Sequence, residues 1–176
     1  NIIGSSIGSF RACCFSQSQP MKAIDLLARH YSETTYSEKP NAKEITEKVH
    51  NLVEILFDNG GASEIINNPI FRPHFIVTKI KGIANSNNQF LQALGFVFGY
   101  VLNLINRKNL RFQYERYIFK HPKSSLVIQD DYQINTHNVL LSHDNIKQAL
   151  LASGAIPIVM EGIKDIIGSP PGMYRD

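Results

Sequence analysis

The residues best suited to do chemistry stand at the start of the chain, in Gly4-Ser5-Ser6-Ile7-Gly8. Gly-x-Ser-x-Gly is the pattern of a sharp strand-to-helix turn that holds a serine hydroxyl clear of the backbone, where it can attack a carbonyl carbon. In that reading Ser6 is the nucleophile, and Gly4 and Gly8 keep side chains from colliding with the turn. The backbone N–H of Ile7 opens the following helix and can donate to an oxyanion. At average glycine and serine usage the pattern arises by chance in roughly 6% of chains this long, so its setting has to support it. Ile2 and Ile3 precede it as the end of a buried strand, and Phe10, Cys13, Cys14 and Phe15 follow in a helix-compatible run. The competing reading is an ordinary glycine-rich turn, including one that binds phosphate.

A serine hydroxyl needs a base, most often histidine. The candidates are His30, His50, His74, His121, His137 and His143. Asp130 or Asp131 followed by His137 or His143 satisfies the serine, acid, histidine order of α/β-hydrolases. The segment 130–144, however, lacks the separated strands which that fold places between the two groups. Cys13 and Cys14 are adjacent, which suits neither a disulfide framework nor a metal site. Asp130-Asp131 reads as a turn before it reads as a calcium site. No metal and no organic cofactor is expected.

The elements that must position these groups follow from length and pattern. The chain has 176 residues, 43% of them apolar and 19% charged, which fits one domain with a real core. A net charge of +3 is too small to argue for nucleic acid, and it suits an anionic membrane surface equally well. There is no signal peptide and no initial Met, so the expectation is a piece of a longer protein. Pro20 opens a helix whose apolar face carries Ile24, Leu27, Ala28 and Tyr31. Ile45, Val49, Leu52, Val53 and Leu56 repeat at helical spacing up to Asn59-Gly60-Gly61, a stop signal. Segment 75–83 is strand-like, and 111–121 alternates in part. Segment 90–105 reads first as a buried core helix, and second as a lipid-facing lid or membrane-docking helix too short to span a bilayer. The basic, aromatic stretch 106–123 reads as a solvated face, ahead of contact with phospholipid head groups or RNA. Ser142 caps a helix ending at Ser153-Gly154, and Met173-Tyr174 enters a last strand. The alternation of strands and helices favours an α/β fold.

The far end of the chain adds a resemblance. Ala152-Ser153-Gly154-Ala155-Ile156-Pro157, followed by a strand ending at Tyr174-Arg175-Asp176, together with the Gly4–Gly8 elbow, resembles the patatin-like phospholipase family. Proteins of that family join a serine elbow to a helix-end Ala-Ser-x-Ala-x-Pro signature and then to a strand that ends on a catalytic aspartate. The resemblance implies a three-layer α/β domain, a central, mostly parallel sheet flanked by helices. It implies a lipid acyl hydrolase, phospholipase A-like, working through a Ser6–Asp176 dyad and an acyl-enzyme. The implied substrates are phospholipids or neutral lipid esters, with peripheral membrane contact, no transmembrane segment and no nucleic acid. The family's first strand and glycine-rich oxyanion loop, and the residues after its aspartate, have no counterpart in 1–176, so a partial domain of weak or no activity is expected. A Ser-His-Asp esterase using His137 or His143, and a non-catalytic binding or scaffold module that keeps the elbow, remain alternatives. The compartment stays open between cytoplasm, membrane periphery and secretion.

Overall fold

Strand β2 (Pro73–Ile80) organises the molecule. Its β-branched and aromatic residues suit a pleated, buried surface, and Phe75 and Val77 are fully buried. The computed structural model describes residues 1–86, 88–128 and 134–176, without the side chains of Asn59 and Ile83. Along one edge of β2 runs β3 (Tyr114–Lys120), antiparallel from His74↔Lys120 to Ile80↔Tyr114. β4 (Thr136–Leu140) lies parallel outside β3.

The other edge of β2 is shared. β1 (Ile2–Gly4) runs parallel beside Pro73–Phe75, and β6 (Met173–Arg175) runs antiparallel beside Thr78 and Lys79. β5 (Ile163–Lys164) extends the sheet beyond β6 in a hairpin. The sheet is therefore mixed rather than mostly parallel. Only the β1–β2 and β3–β4 pairings described are parallel, because a return of the chain through a helix and turns allows either sense.

Helices α1 (Ile7–Phe15) and α6 (Ile146–Gly154) lie on β2. α2 (Pro20–Glu33) packs on α1, and α3 (Ala42–Phe57) on α6. The fold is mixed α/β, a sheet flanked by helices, with α1 and α6 between the sheet and α2 and α3. α4 (Gly61–Asn67) restarts after the predicted stop, where Gly60 takes φ 88°. Phe10, Cys13 and Cys14 of α1 and Leu150 of α6 pack with Phe75, Phe119 and Tyr174 in one core. Each large side chain buried there contributes about 1.5–3 kcal/mol. Burial pushes the Cys14 thiol up to about 11 and raises Cys13 as well, so both are packing residues rather than reactive ones.

Three expectations change. α2 turns Ala23 and Leu27 inward and leaves Tyr31 71% exposed, because α1 meets the earlier turns of the helix. Asn145 rather than Ser142 stands at the N-terminus of α6, with its buried amide bonded to Ser142 N and to the carbonyls of Leu140 and Ile167. α5 (Gln89–Ile105) is a helix as predicted but not a core helix: its buried residues are Gln92, Gly95 and Gly99. The Asp130-Asp131 pair lies outside the described residues.

His74 ties the short strand β1 into place, with Nδ1 3.3 Å from the Ile2 carbonyl and Nε2 2.8 Å from Ser124 Oγ. His121 is also buried, its Nε2 3.2 Å from the Ile65 carbonyl. Desolvation lowers both imidazoles from the ordinary value of 6.5. As pH falls below about 6.5 the unfolded chain takes up protons before the folded one does. Stability is therefore full above that pH and declines beneath it. The urea midpoint should fall between neutral pH and about pH 5, and His74→Gln should flatten that dependence. A pH-independent midpoint in the parent chain would contradict the assignment.

Candidate active site

The shared edge of β2 sets the site. β3 occupies the opposite edge along His74–Ile80, so β1 and β6 approach each other end to end from the two ends of β2. The chain leaves β1 at Gly4 opposite Phe75, and leaves β6 at Arg175 opposite Thr78. Residues 5 and 176 therefore meet at the middle of that edge, and Ser5 Oγ donates to Asp176 Oδ1 at 3.1 Å.

Between the two strand ends the Ile76 carbonyl accepts from Ser153 Oγ at 2.7 Å. Ser153 Oγ also lies 2.8 Å from Ser9 Oγ, so one buried hydroxyl links α6, α1 and β2. The helix-end signature has a mechanical sense here. Ser153 fills the gap in the sheet, and Ala155 O accepts from Asp176 N at 3.1 Å. Gly154 admits the Phe10 ring, which a Cβ there would meet at 2.7 Å.

Ser6 adopts φ 53°, ψ −134°, a conformation that costs a residue other than glycine about 1–3 kcal/mol. A strand-to-helix turn with a serine at positive φ is the geometry of a nucleophile elbow. A Cβ on Gly4 would lie 2.5 Å from Ser9 N and 2.6 Å from Gly8 C, so glycine is obligatory there. Gly8 differs from expectation: a Cβ on it would meet nothing within 4 Å. Gly8 N and Ser9 N donate to the carbonyls of Ser5 and Ser6, whereas the Ile7 N–H has no acceptor among the described residues. That amide is left free to donate, as the oxyanion role expected of it requires.

Ser6 lines a cavity of about 360 Å³, within the usual range for small-ligand pockets. Phe10, Val49 and Leu52 of α3, Tyr31, Tyr36 and Met160 are among the residues that line it. Asp176 lines a neighbouring groove of about 240 Å³ with Arg116, Tyr114, Phe96 and Pro157. The hydrogen bond to Asp176 thus comes from Ser5, and the Ser6 hydroxyl has no partner among the described residues. The elbow stands between the two concavities.

The histidines proposed from sequence lie elsewhere. His137 sits on β4, stacked on Tyr117 at 4.8 Å. Strand β4 is three strand spacings from β1, about 14 Å. His143 is exposed in the turn before α6, a helix length of about 13 Å from Gly154 at the cavity. Of the six candidate histidines His30, which does not fit the serine, acid, histidine order, lines the Ser6 cavity. The last turn of α2 carries it, and the only signal was its place beside Tyr31. Comparison of the chain with family models, curated proteins and solved structures finds no match.

The two glycines should separate in thermal unfolding. Gly4→Ala should cost about 3 kcal/mol, since backbone must move to admit the methyl group. Gly8→Ala should be neutral or stabilising by up to about 1 kcal/mol, since alanine favours the first turn of the helix. Equal losses would mean that the elbow is not held by close approach at Gly4.

Proposed function

We propose that the chain is the catalytic part of a serine acyl hydrolase acting on lipid esters, phospholipase A-like, with Ser6 as nucleophile and Asp176 as base. One observation carries this reading: a serine strained to φ 53° at a strand-to-helix turn lies on the wall of an apolar cavity, with a carboxylate held by the preceding residue. The apolar walls suit an acyl chain rather than a polar substrate. The helix-end signature and terminal aspartate that resemble the patatin-like family lie against the elbow, which supports the same reading.

In this mechanism Ser6 Oγ bonds to the ester carbonyl carbon. Its proton passes to Asp176, through a water where the substrate leaves room for one. The electron pair of the carbonyl moves onto its oxygen, and the Ile7 N–H donates to that oxyanion. Collapse expels the alcohol, which takes the proton from Asp176. Water then hydrolyses the acyl-enzyme with Asp176 again accepting a proton. Ser5 fixes the carboxylate beside the elbow.

Labelling by a fluorophosphonate probe and hydrolysis of esters with graded acyl chains test the reading. Ser6→Ala should abolish both. Asp176→Asn should lower hydrolysis by about 10²–10⁴-fold, while Ser5→Ala should keep the label. His137→Ala and His143→Ala should leave the rate unchanged. A wild-type protein that neither labels nor hydrolyses would instead support a binding module, and loss of labelling in Ser5→Ala alone would move the nucleophile to Ser5.

A further inference from the structure

α5 is docked by the wrong face for a core helix. Gln92, Gly95 and Gly99 face inward; Gly95 is required by the close approach of backbone, and Gly99 makes room for the Gln113 and Tyr114 side chains. A Cβ on Gly95 would lie 2.4 Å from Ala84 N, and one on Gly99 would lie 2.3 Å from Gln113 Oε1. Gln113 Nε2 donates to the Gly95 carbonyl at 2.7 Å. Gln92 accepts from Ile158 N at 2.6 Å and donates to the Ser86 carbonyl at 3.1 Å. The polar and small residues thus hold the helix to the protein, and most of its large apolar residues point away. Phe90, Val97, Phe98, Val101, Leu104 and Ile105 form one continuous outward face, with Phe98 60% and Leu104 67% exposed.

The surrounding charge identifies the occupant. No acidic residue occurs between Glu64 and Glu115, a stretch that includes all of α5. Arg107, Lys108 and Arg111 are exposed in the turn directly after α5, beside Phe112, which is 65% exposed. An apolar face with a cationic end and no acidic residue along the helix itself is complementary to an anionic lipid surface. A second copy of α5 laid on this face would bring no carboxylate to those cations, because the helix carries none. The helix is about 26 Å long, short of the roughly 30 Å hydrocarbon core, so it suits lying in the interface rather than crossing it.

We infer that α5 and the Arg107–Arg111 turn form a docking face for an anionic lipid bilayer, with the α5 face entering the boundary between head groups and acyl chains. The N-terminal turn of α5 is bonded to Ile158 by Gln89 and Gln92. Ile158 adjoins Ile156 and Val159 on the rim of the Ser6 cavity, so docking would bring that rim towards the lipid. The inference rests on surface chemistry and not on the reaction at Ser6.

Co-sedimentation with vesicles tests it, using phosphatidylcholine alone and equal parts phosphatidylcholine and phosphatidylglycerol. The wild-type chain should bind the anionic vesicles, more weakly as salt rises. The double substitution Val97→Asp, Leu104→Asp should weaken binding at least about ten-fold. Lys108→Gln and Arg111→Gln should each weaken it about five-fold on anionic vesicles only. The chain has no tryptophan, so Val97→Trp supplies a single reporter at an exposed site, and its emission should shift to the blue on anionic vesicles. Ser6→Ala should bind like wild type, which separates this inference from the hydrolase reading. A wild-type chain that stays in the supernatant with both vesicles would overturn it. So would an unshifted reporter, or a dimer dissolved by the two aspartates without vesicle binding.

Discussion

The arrangement depends on one edge of β2 being divided between two strand ends. A strand edge left open exposes unpaired carbonyls and amides, and a buried carbonyl without a donor costs about 1–3 kcal/mol. β1 and β6 together leave Ile76 between them, and Ser153 supplies the missing donor from α6. That single hydroxyl makes the division tolerable. Because the gap is satisfied, the chain can turn away from the sheet at both Gly4 and Arg175, at one level. Residues separated by most of the sequence are thereby placed side by side, as the Ser5–Asp176 hydrogen bond records.

The elbow spends part of the stability that this packing supplies. Ser6 is held at a backbone conformation that few residues adopt, and the constraint comes from around it. Gly4 lets the backbone of Gly8 and Ser9 fold back against the strand end, while the Phe10 ring packs against Gly154. The same turn leaves the Ile7 amide without an acceptor among the described residues, so the strain at Ser6 and the free N–H have one origin.

α5 obeys a different rule from the other helices. α1 and α6 bury their apolar side chains against the sheet, as amphipathic helices ordinarily do. α5 buries glycines and a glutamine, because the Ala84 backbone comes close at Gly95 and the Gln113 and Tyr114 side chains fill the space at Gly99. Its apolar residues are then displaced outward by geometry. Composition could not have shown this, since the same residues would serve a core helix equally well.

Sequence alone determined the local elements whose cause is local. Pro20 starts α2, the spacing of Ile45 to Leu56 makes α3, the β-branched run makes β2, and Gly-x-Ser-x-Gly announces the elbow. It also supplied the strongest candidates, Ser6 and Asp176, through motifs at both ends. It missed β4, β5 and α4, which are too short to carry a periodic pattern, and it misjudged the inward faces of α2 and α5. Only tertiary structure decided that Ser5 holds the carboxylate, that His30 lines the cavity while His137 lies across the sheet, and that Gly4 is indispensable where Gly8 is not. The reason is physical: side-chain type and spacing fix what a segment can do by itself, whereas which face is buried and which distant groups meet depend on neighbours the local pattern does not encode.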